Sequence, residues 1–464
     1  MGSLRDLLVL AVTFSTIPVA LLYPFLGLLA FSWLAYMRPQ DLAWGFASQY
    51  RLSYYVALAT LVGMVLNKEL KFFKKSPINV ILILLWIWVS LSVVFALDPS
   101  RSMGTYIQFS KILLICFITT GLVNTRERLR WSILVIAFSF GFLGLKNGLF
   151  GLTHGGEVRF RSGVGGLIGD NNDFALALNM AIPFLVFLAK EEKNRYSKFL
   201  WIFFVPFTVA TVIFTYSRGG FLALTASLGL CILKSKRKAW ALIAAPIILY
   251  LFLLFAPATY MEHISTIFAQ EDERDASVQG RLNAWREAIE LSGKYPFLGV
   301  GVRNFLSVSE GSIVTHNSYL QILIDTGYPG LGIYLLLLGT TFLTLWKVRK
   351  LARIRNRKQE DRAWKPRDPL KPYGSNSLPD QPSDLSWMIH YSHMFEISLI
   401  AFLIGGTFLD RVYFDLTYHI MALTVCLQIL ACEHFLGTQQ QEQNRIPYGR
   451  GVGKKLQPTE KVTV

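Results

Sequence analysis

The chain has 464 residues, of which 53% are hydrophobic and only 16% are charged. A soluble domain usually carries about a quarter charged residues, so this composition excludes an ordinary water-soluble enzyme. The net charge of +16 does not by itself indicate a nucleic-acid partner, because the Lys and Arg residues form short clusters between long apolar runs. This pattern is typical of a protein that crosses a membrane many times.

The apolar runs predict about twelve membrane spans, most of them long enough to cross a hydrocarbon layer of ~30 Å. The first run is too long for one straight helix and contains Pro18 and Pro24. It therefore forms either a kinked span or a tight pair of short helices. The predicted spans cover residues 7–37, 53–66, 77–97, 105–123, 131–150, 172–189, 199–216, 219–233, 239–256, 330–346, 393–408 and 412–431.

The basic clusters set the predicted orientation. If the lysine-rich segment 68–75 is cytoplasmic and the spans alternate, the cytoplasmic side receives most of the 46 Lys and Arg residues, as the positive-inside rule requires. Both termini are then cytoplasmic, and segment 257–315 forms one large outer loop. Anionic lipid at the cytoplasmic surface accounts for the charge, so we expect membrane lipids, and no nucleic acid, as partners.

These features predict an all-α polytopic membrane protein with seven regions along the chain. The connector 347–392 is rich in Pro, Ser, Asp and Arg from residue 365 onward, a composition typical of a flexible loop. The regions are an N-terminal transmembrane part (1–150), central transmembrane helices (151–256), the outer loop with short helices (257–315), a half-length helix plus a span (316–346), the cytoplasmic connector (347–392), C-terminal spans (393–434) and a cytoplasmic tail (435–464).

The four cysteines lie inside apolar runs or at the end of one. No Cys or His spacing typical of a metal site occurs, so we expect buried thiols, no disulfide and no metal.

Arginine rather than lysine predominates on the predicted outer face. Arg218 lies between two apolar runs with hardly any loop, so its charge must sit at or just inside the membrane boundary. A charge costs ~2.5–3.5 kcal/mol at the centre of a span and less near the surface. The long stem of Arg218 can snorkel to water, but a guanidinium also binds phosphate through two hydrogen bonds. Both explanations stay open.

The outer loop contains a second such arginine. Residues 280–289 predict a short amphipathic helix with Arg281 at its start, where the helix dipole disfavours a cation and favours an anion. Arg303 follows a predicted turn at 299–301, where two glycines permit close backbone approach.

Two further pairs of charged residues lie in predicted outer loops. Arg159 and Arg161 precede segment 170–173, whose Asp and Asn residues suit a turn and a helix cap. Asp410 and Arg411 are predicted to form a local ion pair.

Residues 316–326 predict a helix only ~16 Å long, too short to cross the bilayer. Gly and Pro residues at 327–330 break it before the next span. His316 is predicted to lie in the first turn of this helix, where a neutral imidazole can take a proton from a hydroxyl group. The alternative is that His316 and Asn317 only cap the helix.

The spacing His316, Asn317, nine residues, Gly327, two residues, Gly330 resembles the His-Asn-x9-Gly-x-x-Gly signature of the O-antigen ligase and polymerase superfamily. Segments 217–220 and 280–282 resemble two further motifs of that superfamily, in the expected order. Segment 37–47 is similar to the branch of O-glycosylation ligases associated with exosortase A systems.

The resemblance implies a GT-C-like fold and a metal-independent, inverting glycosyltransferase that uses no cofactor. Such an enzyme moves a glycan from undecaprenyl pyrophosphate to a hydroxyl of a protein Ser/Thr or a lipid, at the periplasmic side of the bacterial inner membrane. Arg218 and Arg281 would bind the pyrophosphate and stabilise the leaving charge, and His316 would be the base. The additional substrate-binding candidates are Asn317, Arg303, Arg159 and Arg161.

Two other functions stay open. A polymerase of the same superfamily would add the glycan to another lipid-linked unit. A transporter of the lipid-linked glycan belongs to a different class, and half-length helices occur in transporters as well. Against transport, the arginines and His316 are predicted at one face and not at the midplane.

Overall fold

The computed structural model describes residues 2–69, 73–155, 160, 162–166, 168–234, 276–309, 311, 313–363 and 385–444. These residues include nine helices that are long and apolar enough to cross a membrane, and three shorter apolar helices. The prediction of an all-α polytopic membrane protein is confirmed. The predicted span at 239–256 lies outside the described residues.

The N-terminal region begins with two helices in place of one long span. Pro24 occupies the first turn of the second helix, where its missing N–H costs nothing. The run forms two helices, but the first has 21 residues and is long enough to span a membrane, so the predicted pair of short helices is only half right. The elements are α1 (Gly2–Leu22), α2 (Pro24–Tyr36), α3 (Pro39–Leu42), a 3-10 helix (Phe46–Gln49) and α4 (Leu52–Leu66).

Small residues let these N-terminal helices approach closely. A Cβ on Gly27 of α2 would lie 2.3 Å from the Thr60 hydroxyl of α4, and a Cβ on Gly63 would lie 2.4 Å from the Ala20 carbonyl oxygen. Close backbone contact of this kind supplies packing energy where the hydrophobic effect between helices is weak.

The central bundle contains five long helices, the shorter helix α10 and one small hairpin. The antiparallel strands β1 and β2 pair Ser162 with Asp170 and Gly165 with Ile168. Helix α8 is almost wholly buried between α7, α9, α10 and the C-terminal helices. The elements are α5 (Pro77–Val94), α6 (Pro99–Leu122), α7 (Arg126–Thr153), β1 (Ser162–Gly165), β2 (Ile168–Asp170), α8 (Asn171–Glu191), α9 (Arg195–Phe214) and α10 (Arg218–Leu233).

The C-terminal region holds the broken helix that the sequence predicts. Helix α13 is interrupted at Gly327, whose φ of 72° and ψ of −177° lie outside the range of helical residues. A Cβ there would meet the Phe297 carbonyl oxygen at 2.2 Å, so only glycine fits. The elements are α11 (Ala276–Lys294), α12 (Phe305–Val308), α13 (Ser318–Ala363), α14 (Ser386–Gly406) and α15 (Asp415–Asn444).

Both ends of the predicted connector 347–392 are helical. Helix α13 continues to Ala363 and α14 already begins at Ser386, so only the middle of the segment lies outside the described residues. The reason is partly local, because Lys, Arg and Ala favour helix. It is also tertiary, because buried Arg349 donates to Glu396 of α14 over 2.7 Å.

Cys116, Cys231 and Cys426 are buried and Cys432 is partly buried, all as free thiols.

The loops that flank α5–α6, α9–α10 and α14–α15 meet at one end of the bundle, which we call the loop end. The Leu97 N–H donates to the Val300 carbonyl (3.1 Å), and the Asn171 side-chain amide donates to the Thr215 carbonyl (2.9 Å). The Ser318 hydroxyl at the start of α13 donates to the Leu409 carbonyl (2.7 Å). These bonds fix several loops to one another, and the predicted site residues lie among them.

Candidate functional site

His316 lies in the non-helical segment just before α13. Its φ of 45° is left-handed, and the helix begins two residues later, at Ser318. The prediction that His316 occupies the first helical turn is therefore wrong. The reason is local: the Asn317 side-chain oxygen accepts hydrogen bonds from the N–H groups of Tyr319 (2.9 Å) and Leu320 (3.2 Å), which makes Asn317 the N-cap.

The segment that carries His316 is held from two sides. The Trp285 indole of α11 donates to the Thr315 carbonyl at 2.6 Å. The Ser318 hydroxyl donates to Leu409 and accepts from the Arg411 N–H (3.1 Å). These bonds fix the backbone on both sides of His316, so the imidazole is presented from a rigid frame.

Arg281 lies on the face of α11 that packs near the His316 segment. Helix α11 begins at Ala276, so Arg281 lies in its second turn. The prediction that Arg281 lies at the start of this helix is therefore wrong. Its pKa is lowered, first because it is partly buried and second because the Arg218 charge is close. The Asp170 carboxylate acts in the opposite direction. The structure thus places Arg281 and Arg218 close enough for their charges to interact.

Arg218 is the first residue of α10. The Ser217 hydroxyl caps this helix by accepting from the Gly220 N–H at 3.0 Å, and Tyr216 turns the chain with a φ of 55°. A Cβ on Gly219 would lie 2.8 Å from Phe408, so the Ser-Arg-Gly-Gly turn packs tightly against the end of α14. A cation at a helix start opposes the helix dipole, which favours an anion at the same place.

The charges of this region also act on His316. Its pKa is lowered, first because the imidazole is partly buried and second because Arg281 is near; Arg411 and Arg303 contribute smaller effects in the same direction, and Asp170 opposes them. The imidazole is therefore neutral at pH 7 and able to accept a proton. The structure brings His316, Arg281 and Arg218 together at the loop end.

Comparison with known proteins agrees with these motifs. Residues 177–335 match the model of the O-Antigen ligase family (Wzy_C), and this range contains Arg218, Arg281 and His316. This match supports the predicted resemblance to the O-antigen ligase superfamily. Residues 4–193 match a second model, described only as a family of unknown function (DUF5935). No curated protein matches the chain.

The match and the apolar helices indicate a multi-pass membrane protein of the glycan ligase or polymerase type, and the family implies a lipid-linked glycan as donor. The finer likeness to ligases associated with exosortase A systems stays a prediction, as does the GT-C-like description of the fold.

The predicted local ion pair between Asp410 and Arg411 does not form. Arg411 binds Asp173 of α8 through two nitrogens, with Nε 2.6 Å from Oδ1. Asp410 instead binds the Arg303 guanidinium. Adjacent side chains point apart here, so each partner comes from a distant part of the chain.

Arg303 also binds α13 through its backbone, close to the break at Gly327. Its N–H donates to the Asp325 carboxylate at 3.0 Å, and the Tyr413 hydroxyl donates to the other oxygen of Asp325 at 3.3 Å. Arg303 has a φ of 61°, directly after the Gly299–Gly301 turn. Its predicted substrate-binding role stays a prediction, and its guanidinium is engaged with Asp410. Arg159 and Arg161 lie outside the described residues.

Sequence reasoning missed Asp173 and treated segment 170–173 as turn and cap residues. Asp170 does cap α8, since it accepts from the Asn172 N–H at 2.8 Å. Asp173, however, is only 2% exposed inside an apolar helix. A carboxylate in such a position is costly unless a cation pairs with it, and that cost was the available signal.

No group of three or more His, Cys, Asp or Glu side chains suited to hold a metal ion occurs within the part of the chain that the structure describes.

Proposed function

We propose that this protein is a glycan ligase that transfers an oligosaccharide or polysaccharide from undecaprenyl pyrophosphate to an acceptor hydroxyl. The observation that carries the proposal is the position of two arginines of like charge, Arg218 and Arg281, beside a neutral His316. Like charges in a partly buried place repel each other. A bound anion of high charge density offsets this repulsion, and a pyrophosphate is such an anion.

The proposed reaction is a single displacement at the anomeric carbon of the donor sugar. The acceptor oxygen forms the new glycosidic bond while the bond to the pyrophosphate oxygen breaks, and the electron pair leaves with undecaprenyl pyrophosphate. The hydroxyl proton passes to the neutral imidazole of His316. One displacement inverts the anomeric configuration.

Arg218 and Arg281 stabilise the charge that develops on the leaving pyrophosphate, the role that a metal ion has in many other transferases. The positive charge of Arg281 also disfavours protonation of His316 before the acceptor binds. Asn317 holds the segment by capping α13, which fixes the direction of the imidazole.

The positive-inside pattern supports a periplasmic location of the loop end in the bacterial inner membrane, with both termini in the cytoplasm. The acceptor is then a protein Ser/Thr or a lipid glycan on that side. This assignment agrees with the apolar helices, which deliver the long isoprenoid tail of the donor within the bilayer.

The test is glycan analysis of a deletion strain complemented with His316→Ala, alongside His154→Ala as a matched control. His154 is an exposed histidine at the end of α7, outside the proposed site. We expect His316→Ala to abolish transfer, with normal membrane insertion and full-length lipid-linked glycan accumulating in the periplasmic leaflet.

The same measurement separates the alternatives. Single repeat units on the acceptor in the deletion strain would indicate a polymerase. Accumulation of the donor in the cytoplasmic leaflet would indicate a transporter and contradict the proposed transfer.

A further inference from the structure

A cavity of about 260 Å³ opens at the loop end. Its wall includes Thr315, directly before His316, and Arg303, whose charge acts on His316, so the cavity lies near the proposed reaction site. The charged and polar residues of the wall are Arg101, Arg303, Thr315, Gln321, Asp325 and Asp410.

Gln321 is a residue of this wall whose side chain keeps an unused hydrogen-bond donor. It is only 3% exposed. Its side-chain oxygen accepts from the Val412 N–H at 3.1 Å, but its amide nitrogen has no hydrogen-bond partner among the described residues. A buried amide donor without a partner costs about 1–3 kcal/mol, so such groups are normally satisfied by water or a ligand.

The charged side chains of the wall are engaged with the fold. Arg303 pairs with Asp410, and its backbone N–H binds Asp325. Arg101 donates to the Ser307 hydroxyl at 2.5 Å. The carboxyl oxygens of the wall keep lone pairs that can accept hydrogen bonds from hydroxyl groups.

The remaining wall is apolar, formed by side chains that include Phe305, Leu306 and Ile324. A surface that combines one amide donor, carboxylate acceptors and apolar side chains matches a sugar ring, which has hydroxyls at its edge and C–H groups on its faces. The volume lies below the ~300–1,000 Å³ of pockets for drug-sized ligands. It suits one ring and not an oligosaccharide.

We infer that this cavity, with the Gln321 amide as its donor, binds a single uncharged sugar residue of the transfer reaction. The inference rests on the proposed function, because it assigns the sugar to the reaction beside His316. The sugar belongs either to the donor, next to the pyrophosphate, or to the acceptor.

Two variants test the cavity without disturbing Arg218, Arg281 or His316. Gln321→Glu keeps an oxygen for the Val412 N–H and removes the donor. Leu306→Trp fills the cavity from its more open side, since Leu306 is 39% exposed.

Gln428→Glu is the matched control. Gln428 is 6% exposed, and its side-chain oxygen likewise accepts a hydrogen bond, from the Ser76 hydroxyl at 2.9 Å. It does not line the cavity.

The first arm measures binding of synthetic undecaprenyl pyrophosphates, either bare or carrying one hexose or N-acetylhexosamine, to the full chain in lipid nanodiscs by native mass spectrometry. If the cavity holds the donor sugar, one of these sugars increases affinity over the bare lipid. Gln321→Glu then reduces that gain about 3- to 10-fold, Leu306→Trp removes it, and neither variant changes binding of the bare lipid.

The second arm measures binding of methyl glycosides of the same sugars by saturation-transfer NMR, with and without bare undecaprenyl pyrophosphate. Loss of glycoside binding in both cavity variants, without a donor-sugar effect in the first arm, assigns the cavity to the acceptor sugar.

If both variants bind every ligand as the parent does, the cavity holds only water and the inference is overturned. The proposed function survives that result as long as the bare lipid binds. Failure of the bare lipid to bind counts against the proposed function alone, because the glycoside arm does not depend on it.

Discussion

Two pairs of arginines lie at the loop end and experience opposite surroundings. Arg303 and Arg411 each bind a carboxylate supplied by another part of the fold. Arg281, in contrast, lies in the field of a second arginine, Arg218, which lowers its pKa. Carboxylates of the fold bind the first pair, whereas we propose that the pyrophosphate of the donor binds the second pair. The two pairs should therefore respond differently to substitution.

The largest effect is expected when a structural arginine is removed. Arg411→Ala leaves Asp173, only 2% exposed, without its two-point partner. Loss of one member of a buried ion pair costs about 3–5 kcal/mol, because the remaining charge stays desolvated. Thermal unfolding of the purified protein should show the loss.

A double variant, Asp173→Leu with Arg411→Leu, is the control for this expectation. Removing both charges avoids the unpaired carboxylate, so most of the stability should return. Unchanged unfolding of the Arg411→Ala protein would remove the distinction between the two pairs of arginines.

In contrast to Arg411→Ala, we expect no loss of stability for Arg281→Gln. Removal of one of two like charges relieves repulsion with Arg218, so the folded protein should be as stable as the parent or more stable. Binding of undecaprenyl pyrophosphate should weaken about 10- to 100-fold, the usual range for a hydrogen bond to a charged group.

Arg286→Gln provides the matched control, because Arg286 is exposed on the same helix and should leave both stability and lipid binding unchanged. A large loss of stability in Arg281→Gln would place Arg281 with the structural arginines.

The pH dependence of transfer gives a smaller but more specific effect. Burial and the Arg281 charge lower the pKa of His316 below its ordinary value of 6.5. The base acts in its neutral form, so transfer should persist below pH 6.5. It should then fall about tenfold per pH unit once the imidazole is protonated. Initial rates across a pH series, with His316→Ala for the residual rate, would measure this. A fall in the transfer rate with its midpoint above pH 6.5 would contradict the proposed surroundings of His316.

The spans and the three motif residues were predictable because their signals are local. Long apolar runs identify membrane helices regardless of their neighbours. The Gly and Pro residues at 327–330 likewise indicate a helix break from the sequence alone. The order of the motifs that contain Arg218, Arg281 and His316 is also a property of the sequence alone. Their meeting at one end agrees with the predicted alternation of spans, in which all three loops lie on the same side.

The ion pairs were not predictable, because each joins distant parts of the chain. Arg303 and Asp410 are 107 residues apart, and Asp173 and Arg411 are 238 residues apart. Adjacent Asp410 and Arg411 suggested a local pair, and only the packing of α8 against the C-terminal helices decides otherwise. The helical ends of the predicted connector have the same origin, since Arg349 finds its partner on α14.

Asn317 tests whether a residue of the His-Asn motif supports the fold or the chemistry. Its side-chain oxygen caps α13, so Asn317→Ala should cost about 1 kcal/mol of stability and reduce transfer only through looser positioning of His316. Asn317→Asp restores the cap and should restore both stability and transfer.

Asn194 gives the matched comparison, because its side-chain oxygen caps α9 by accepting from the Tyr196 N–H at 2.8 Å, away from the proposed site. Asn194→Ala should therefore lose similar stability with no effect on transfer. If Asn317→Asp instead recovers stability but not transfer, the amide of Asn317 takes part in the reaction. The motif would then contribute two functional side chains, and capping would be the lesser role of the second.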